Sequence, residues 1–195
     1  MKTECAPVQI EFTGLGRRTV RGAFDGGHIS LDGGAVLLRE VDARLGITQK
    51  LAACFTDHRD PGLIEHDVTA LVRQRVYGLA LGYEDLNDHD DLKRDPLSAV
   101  ALDKSDVQGE ARHREADRGK VLASSSTLNR LELSWADSAA ESRYKKVAHD
   151  PGELERFFVD VFLDSFAKAP EEIVLDLDAT DDPVHGDQDG KFFHG

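Results

Sequence analysis

Between Asp150 and Asp178 the chain reads as a helix followed at once by an apolar strand, and that pair restricts the fold more than any other stretch. Asp150 is placed to accept from the free N–H groups of a first turn, Pro151 suits the first helical position, and Glu153 stands at the capping-box position. Leu154, Phe157, Phe158, Val161, Phe162 and Phe166 then recur as one broad apolar stripe, which predicts packing against a core. Pro170 ends the helix, and Ile173-Val174-Leu175-Asp176-Leu177-Asp178 reads as a strand. A strand must satisfy its N–H and C=O groups on neighbouring strands, so this one implies a larger sheet. Left at an edge, it predicts self-association through the C-terminal segment.

The preceding residues read mainly as helices with a small β element. Residues 8–12 and 19–24 are rich in strand formers, and Asp25-Gly26-Gly27 supplies turn residues between Phe24 and Ile29-Ser30-Leu31, which together predict a small hairpin. Asp32 is a candidate cap for a helix with Val36, Leu37, Val41 and Leu45 on one face, stopped by Gly46. Thr48 is a candidate cap for a second, short helix through Phe55. From His66 to Leu81, Val68, Leu71, Val72, Val76, Leu79 and Ala80 keep helical spacing, with Arg73 and Arg75 between them. Residues 83–96 are polar and rich in turn formers, and 97–102 add a helical turn. Residues 104–120 read as an exposed insertion or loop. A short helix over 127–133 follows three serines and carries Arg130, and Trp135 reads as a packing anchor.

The formal net charge of -13 provides no overall attraction towards nucleic acid, and so counts against a free-standing DNA binder. Arg73, Arg75 and Arg130 are the candidate phosphate contacts; the plainer reading of each is a charged helix face. Cys5 and Cys54 lie far apart, which disfavours zinc and a disulfide framework. No stretch approaches the ~20 apolar residues of a membrane span and no early run resembles a signal peptide, so the expected compartment is the cytoplasm. His58, His66 and His89 lack ligand spacing and read as polar or salt-bridging residues.

The strand's acidic end carries the chemistry. Alternation puts Val174, Asp176 and Asp178 on one face, and two ionised carboxylates so close repel unless one is protonated, solvent screens them or a cation binds. Mg2+, a hard cation preferring oxygen ligands, would resolve the conflict. Asp178 as a cap for the following turn, with Thr180, Asp181 and Asp182 in a solvated loop, satisfies the same pattern.

Four separated pieces, FDGGHISLDGGAVLLREVDARLG, DHRDPGLIEHDVTALVRQRVYGLALGYEDLNDHDDLKRDP, LASSSTLNRLE and IVLDLDATDDPVHGDQDGKFFHG, together resemble bacterial insertion-sequence DDE transposases of the group 1 type. The resemblance implies an α+β chain: a mainly helical, DNA-handling region over 1–149, then over 150–195 the first strand of an incomplete RNase H-like α/β catalytic domain. It assigns the first catalytic, metal-binding aspartate to Asp178, with Asp176 as the close alternative, and Mg2+ or Mn2+ as the cofactor. The family's second aspartate and its glutamate lie beyond Gly195, so the expectation is a shortened chain inactive alone. Its partners would be transposon-end and target DNA and a full-length transposase as homo-oligomer. His185 and His194 would stand near the metal.

Two other functions use the same residues. Leu175-Asp176-Leu177-Asp178-Ala179-Thr180 also resembles the first motif of haloacid-dehalogenase-like phosphatases, which makes Asp176 a nucleophile and Asp178 a general acid/base. That fold places most of its sheet after this motif. A non-catalytic fragment that binds DNA or a transposase is the third reading.

Overall fold

The computed structural model describes residues 9–23 and 32–177. It is α+β: among the described residues, seven helices pack with two antiparallel two-stranded sheets. The first sheet pairs β1 (Gln9–Leu15) with β2 (Arg18–Ala23) around a turn at Gly16 and Arg17. The two segments expected to be strands pair with each other, whereas the expected turn at Asp25-Gly26-Gly27 and the residues 29–31 beyond it lie outside the described residues.

Helix α1 (Ala35–Leu45) inverts the expected apolar face. Val36 is buried, yet Leu37, Val41 and Leu45 are exposed while Arg39 and Asp42 are buried. The reason is an internal polar network that outweighs the burial of three aliphatic side chains. Arg39 donates to Asp103 (2.6 Å) and to the carbonyl of Thr13 (2.7 Å), which ties α1 to β1. Asp42 accepts from the backbone N–H of Thr48 (2.8 Å) and from its hydroxyl, and from Tyr77 (3.3 Å). Thr48 therefore sits inside α2 (Ile47–Ala52) rather than capping it, and Phe55 has already entered β3 (Phe55–Asp57).

Helix α3 (Val68–Ala80) is the centre of the molecule and starts on an Asp67 cap that accepts from the N–H of Ala70 (2.7 Å). Leu71 and Val72 join Ala52, Leu128 and Val147 in one apolar cluster, and Tyr77 joins Ala35, Ala99 and Leu122 in a second. Short helices α4 (Asp88–Leu92) and α5 (Pro96–Ala101) follow, the latter capped by Asp95. Residues 103–120 are mostly exposed, as expected, but the segment is docked at one point. Gly109, at φ +69, is buried against the backbone of Lys120, where an added Cβ would meet the carbonyl oxygen at 2.8 Å. Val121 and Leu122, which follow this segment, are core residues.

Helix α6 (Ser125–Glu132) packs on α3 through Leu128 and Leu131. Trp135 is not the anchor expected: it is 57% exposed, with the Lys145 ammonium 3.8 Å from its ring centroid. Strand β4 (Val147–His149) pairs with β3, a sheet whose strands are too short and too far apart in sequence to be read from alternation. Helix α7 (Pro151–Asp164) starts as expected, with Asp150 accepting from the N–H of Glu153 (3.0 Å). Its stripe is not core. Only Phe157 is buried, and Phe158, Phe162 and Phe166 are exposed because no described residue covers them. Residues 173–177 form no strand; Leu177 is 91% exposed. No described strand lies beside them to complete a ladder. Asp178, His185 and His194 lie outside the described residues.

Candidate nucleic-acid interface

The three arginines singled out from the sequence have different fates. Arg73 is turned inward, donating to Asp103 (2.8 Å) and lying 3.4 Å from Asp42. Arg75 pairs with Glu132 and donates to the carbonyls of Tyr83 (3.0 Å) and Glu84 (2.8 Å), holding α3 to α6 and to the loop after α3. Arg130, on α6, makes no ion pair with any described residue and lines a groove of about 790 Å³.

That groove is assembled from five places in the chain. The β3–β4 pairing brings residues just beyond β3 beside those just before β4: the N–H of His58 donates to the carbonyl of Lys146 (2.7 Å), so Arg59 and Lys146 meet at one end. Leu122 donates its N–H to the carbonyl of Lys93 (3.2 Å), fixing Lys93 next to Lys120. Gln74 on α3 exchanges two 2.9 Å hydrogen bonds with the backbone of Ala123, which sets where Ser124 and the start of α6 emerge. Ser124, Ser126 and Thr127 line the groove, their hydroxyls hydrogen-bonded to one another, while Ser125 donates instead to Asp90 (2.6 Å).

The charge of the groove is opposite to that of the chain. Arg59, Lys93, Arg112, Arg114, Lys120, Arg130, Arg143 and Lys146 line it against Asp60, Glu65 and Asp117. Asp57 and Asp90, just outside the lining, hold Arg59 (2.6 Å) and Lys93 (3.2 Å), so an excess of three positive charges stands in one concavity of a chain whose formal net charge is -13. Glu65 and Asp117 are already paired, with Arg112 (2.8 Å) and Lys120 (2.7 Å). Arg114, Arg130, Arg143 and Lys146 pair with no described carboxylate. Tyr144, 66% exposed, lies among them with the Arg143 guanidinium 4.9 Å from its ring centroid.

At the inner end His66 is buried between Lys104 Nζ (2.6 Å from Nδ1) and Arg112 Nη1 (2.6 Å from Nε2). Burial, then the charges of Lys104 and Arg112, pushes its pKa down to about 3. Burial, then Arg112, brings the Lys104 amine down to about 8. Both shifts have the sign expected of cationic groups held out of water among cations.

Sequence reasoning found Arg130 alone of these eight. Two short runs carried a signal: Arg112-His113-Arg114, and Arg143-Tyr144-Lys145-Lys146, where basic residues flank an aromatic. Their neighbours in the groove come from separate segments and have no linear pattern.

The acidic C-terminal end offers less geometry. Asp176 is exposed, and Asp178 lies outside the described residues. Among the described residues no three His, Cys, Asp or Glu side chains are gathered to hold a metal. The oxygen donors suit a hard divalent cation, but one described carboxylate does not define a coordination sphere. No described helix is long and apolar enough to cross a membrane.

The family model for the transposase DDE domain, group 1, matches residues 12–195. No curated protein and no solved structure matches the chain. Transposases of this family act on DNA and use a divalent metal. With nearly its whole length matched, the chain is a member of the transposase DDE domain group 1 family.

Proposed function

We propose that this chain handles DNA for a transposase that cuts transposon ends and joins them to target DNA, and that the basic groove takes the DNA backbone. The observation that carries this is the concentration of eight Lys and Arg side chains in one groove of an acidic protein. Non-specific affinity for DNA comes from cations that replace condensed counterions, so local charge matters more than the net value. Negative charge elsewhere limits indiscriminate binding and favours contact through this face. Arg130 carries over as a DNA contact; Arg73 and Arg75 support the interface by holding α3 in place.

Asp178, with Asp176 beside it, is proposed to ligate the divalent metal, which would activate the attacking hydroxyl and stabilise the leaving oxygen in phosphoryl transfer. This chain's carboxylates would act as ligands, not as nucleophiles. The phosphatase reading needs Asp176 enclosed as a nucleophile, and its exposure favours no such role.

The test is duplex DNA binding across a salt series, comparing the protein with the triple variant Arg130→Glu, Arg143→Glu, Lys146→Glu. Loss of phosphate contacts should weaken binding and reduce the slope of log K against log salt by roughly 0.9 for each contact removed. An unchanged affinity and slope would refute the groove as the interface.

A further inference from the structure

Tyr144 stands in the wall of the basic groove, 66% exposed, and the chain anchors the segment that carries it at both ends. Ahead of it, the Ala139 carbonyl accepts from the N–H of Ser142 (3.0 Å), and the Ala139 N–H donates to the Ser142 hydroxyl (3.2 Å), which closes a turn. Behind it, the Lys146 carbonyl accepts from the N–H of His58 (2.7 Å) where β4 begins. The Arg143 guanidinium lies over the ring, 4.9 Å from its centroid, and leaves the other face open. Leu63, also in the wall and 75% exposed, is presented by a 3-10 turn (Pro61–Leu63) that Asp60 holds by accepting from the N–H of Gly62 (2.9 Å).

Two apolar side chains thus stand among Arg114, Arg130, Arg143 and Lys146, the cations of the groove that pair with no described carboxylate. Phosphates answer the cations but offer nothing to an aromatic ring. In a duplex both faces of each base are covered by its neighbours, so a tyrosine ring meets a base face only where the base has left the stack. An unpaired nucleotide satisfies both kinds of group at once. Its phosphate takes a cation, and its base lies on the ring, a contact open to every base because each has a π-face.

We infer that the groove receives unpaired nucleotides of DNA and that Tyr144 is the platform on which a base stacks, with Leu63 as a second apolar contact in the same wall. The inference rests on the DNA reading of the groove and specifies which form of DNA enters it. A tyrosine that served a duplex would act through its hydroxyl on a phosphate instead, and the two roles part on removal of that hydroxyl.

The experiment titrates the full chain with an oligothymidylate carrying one 2-aminopurine and, separately, with a duplex, and repeats both with Tyr144→Ala, Tyr144→Phe and Trp135→Ala. Trp135 is the control: 57% exposed, with the Lys145 ammonium over its ring, it precedes Tyr144 in the same loop but is not part of the groove wall. Binding of the single strand should quench the 2-aminopurine. Tyr144→Ala should weaken that binding by roughly ten-fold and relieve the quench. It should leave duplex affinity and the salt slope unchanged, because no charge is removed. Tyr144→Phe and Trp135→Ala should bind as the unaltered protein does. Equal losses in Tyr144→Phe and Tyr144→Ala would make the hydroxyl the contact, and equal losses on duplex and single strand, or in Trp135→Ala, would make the effect one of loop structure. Either result, or no quench, or duplex binding without single-strand binding, would overturn the platform and leave the DNA reading intact. Binding of neither form would end both.

Discussion

Gly78 on α3 lies so close to the His89 ring that a Cβ at position 78 would stand 2.6 Å from Cε1 and 2.9 Å from Nε2. His89 is almost fully buried, and Gln74, whose amide is oriented by Ala123, faces its Nδ1 at 3.4 Å. The ring has nowhere to go. Alanine in mid-helix normally gains about 1 kcal/mol over glycine. Here Gly78→Ala is expected to lose on the order of 2 kcal/mol instead, as overpacked cores do. Chemical denaturation checks it, and the double variant Gly78→Ala, His89→Ala should recover much of the loss from Gly78→Ala relative to His89→Ala alone. A stabilised Gly78→Ala protein would show that the ring yields.

Arg73 and Arg130 should separate cleanly in experiment. Arg73 is largely buried among Asp42, Thr48 and Asp103, so Arg73→Ala strands buried acid and is expected to cost on the order of 3 kcal/mol of stability. The salt slope of DNA binding by the folded variant should not change. Arg130→Ala should leave the unfolding midpoint nearly unmoved and lower both affinity and slope. Thermal melts paired with binding isotherms distinguish the two, and the reverse pattern would reassign both residues.

How much could be read in advance follows from how local each cause is. The caps at Asp67, Asp95 and Asp150 lie beside the N–H groups they serve, and α3 and α7 begin where those residues place them. Pairing of β3 with β4 joins Phe55 to His149, and no local pattern announces it. On α1 the aliphatic residues marked the wrong face, because Arg39 and Asp42 find charged and polar partners from distant segments and are buried in their place. The groove was hidden for the same reason. Its cations are scattered from Arg59 to Lys146, and the overall charge of the chain pointed away from it.

His66 sets an acid limit on the folded state. Its folded pKa, pushed down to about 3, lies below the usual value of 6.5, so the unfolded chain takes up a proton that the folded chain refuses. The stability that the neutral ring confers is complete above pH 6.5 and is lost as pH falls from there towards 3. Each pH unit in that window should cost on the order of 1 kcal/mol. His66→Gln retains a side-chain oxygen that can accept from Arg112 or Lys104 without a titrating ring, so its stability should fall less steeply between pH 6 and 4. Denaturation curves across that range test this, and parallel profiles for the two proteins would mean that His66 does not set the limit.

Helix α7 buries Phe157 and turns Phe158, Val159, Phe162, Leu163 and Phe166 outward, and the exposed residues Ile173, Val174, Leu175 and Leu177 follow. A contiguous apolar surface of this kind is costly in water and drives association, or dye binding, as concentration rises. The chain as described should therefore sediment with a concentration-dependent mass and enhance the fluorescence of a hydrophobic dye. Phe158 and Leu163 carry exposed area and little core, so Phe158→Ser with Leu163→Lys should reduce both signals and leave the unfolding midpoint within about 0.5 kcal/mol of its original value. Phe157→Ala is the contrast: its ring belongs to the packed face against α2, and its loss should lower stability by roughly 3 kcal/mol. A monomer that binds no dye at any concentration would refute association through this face.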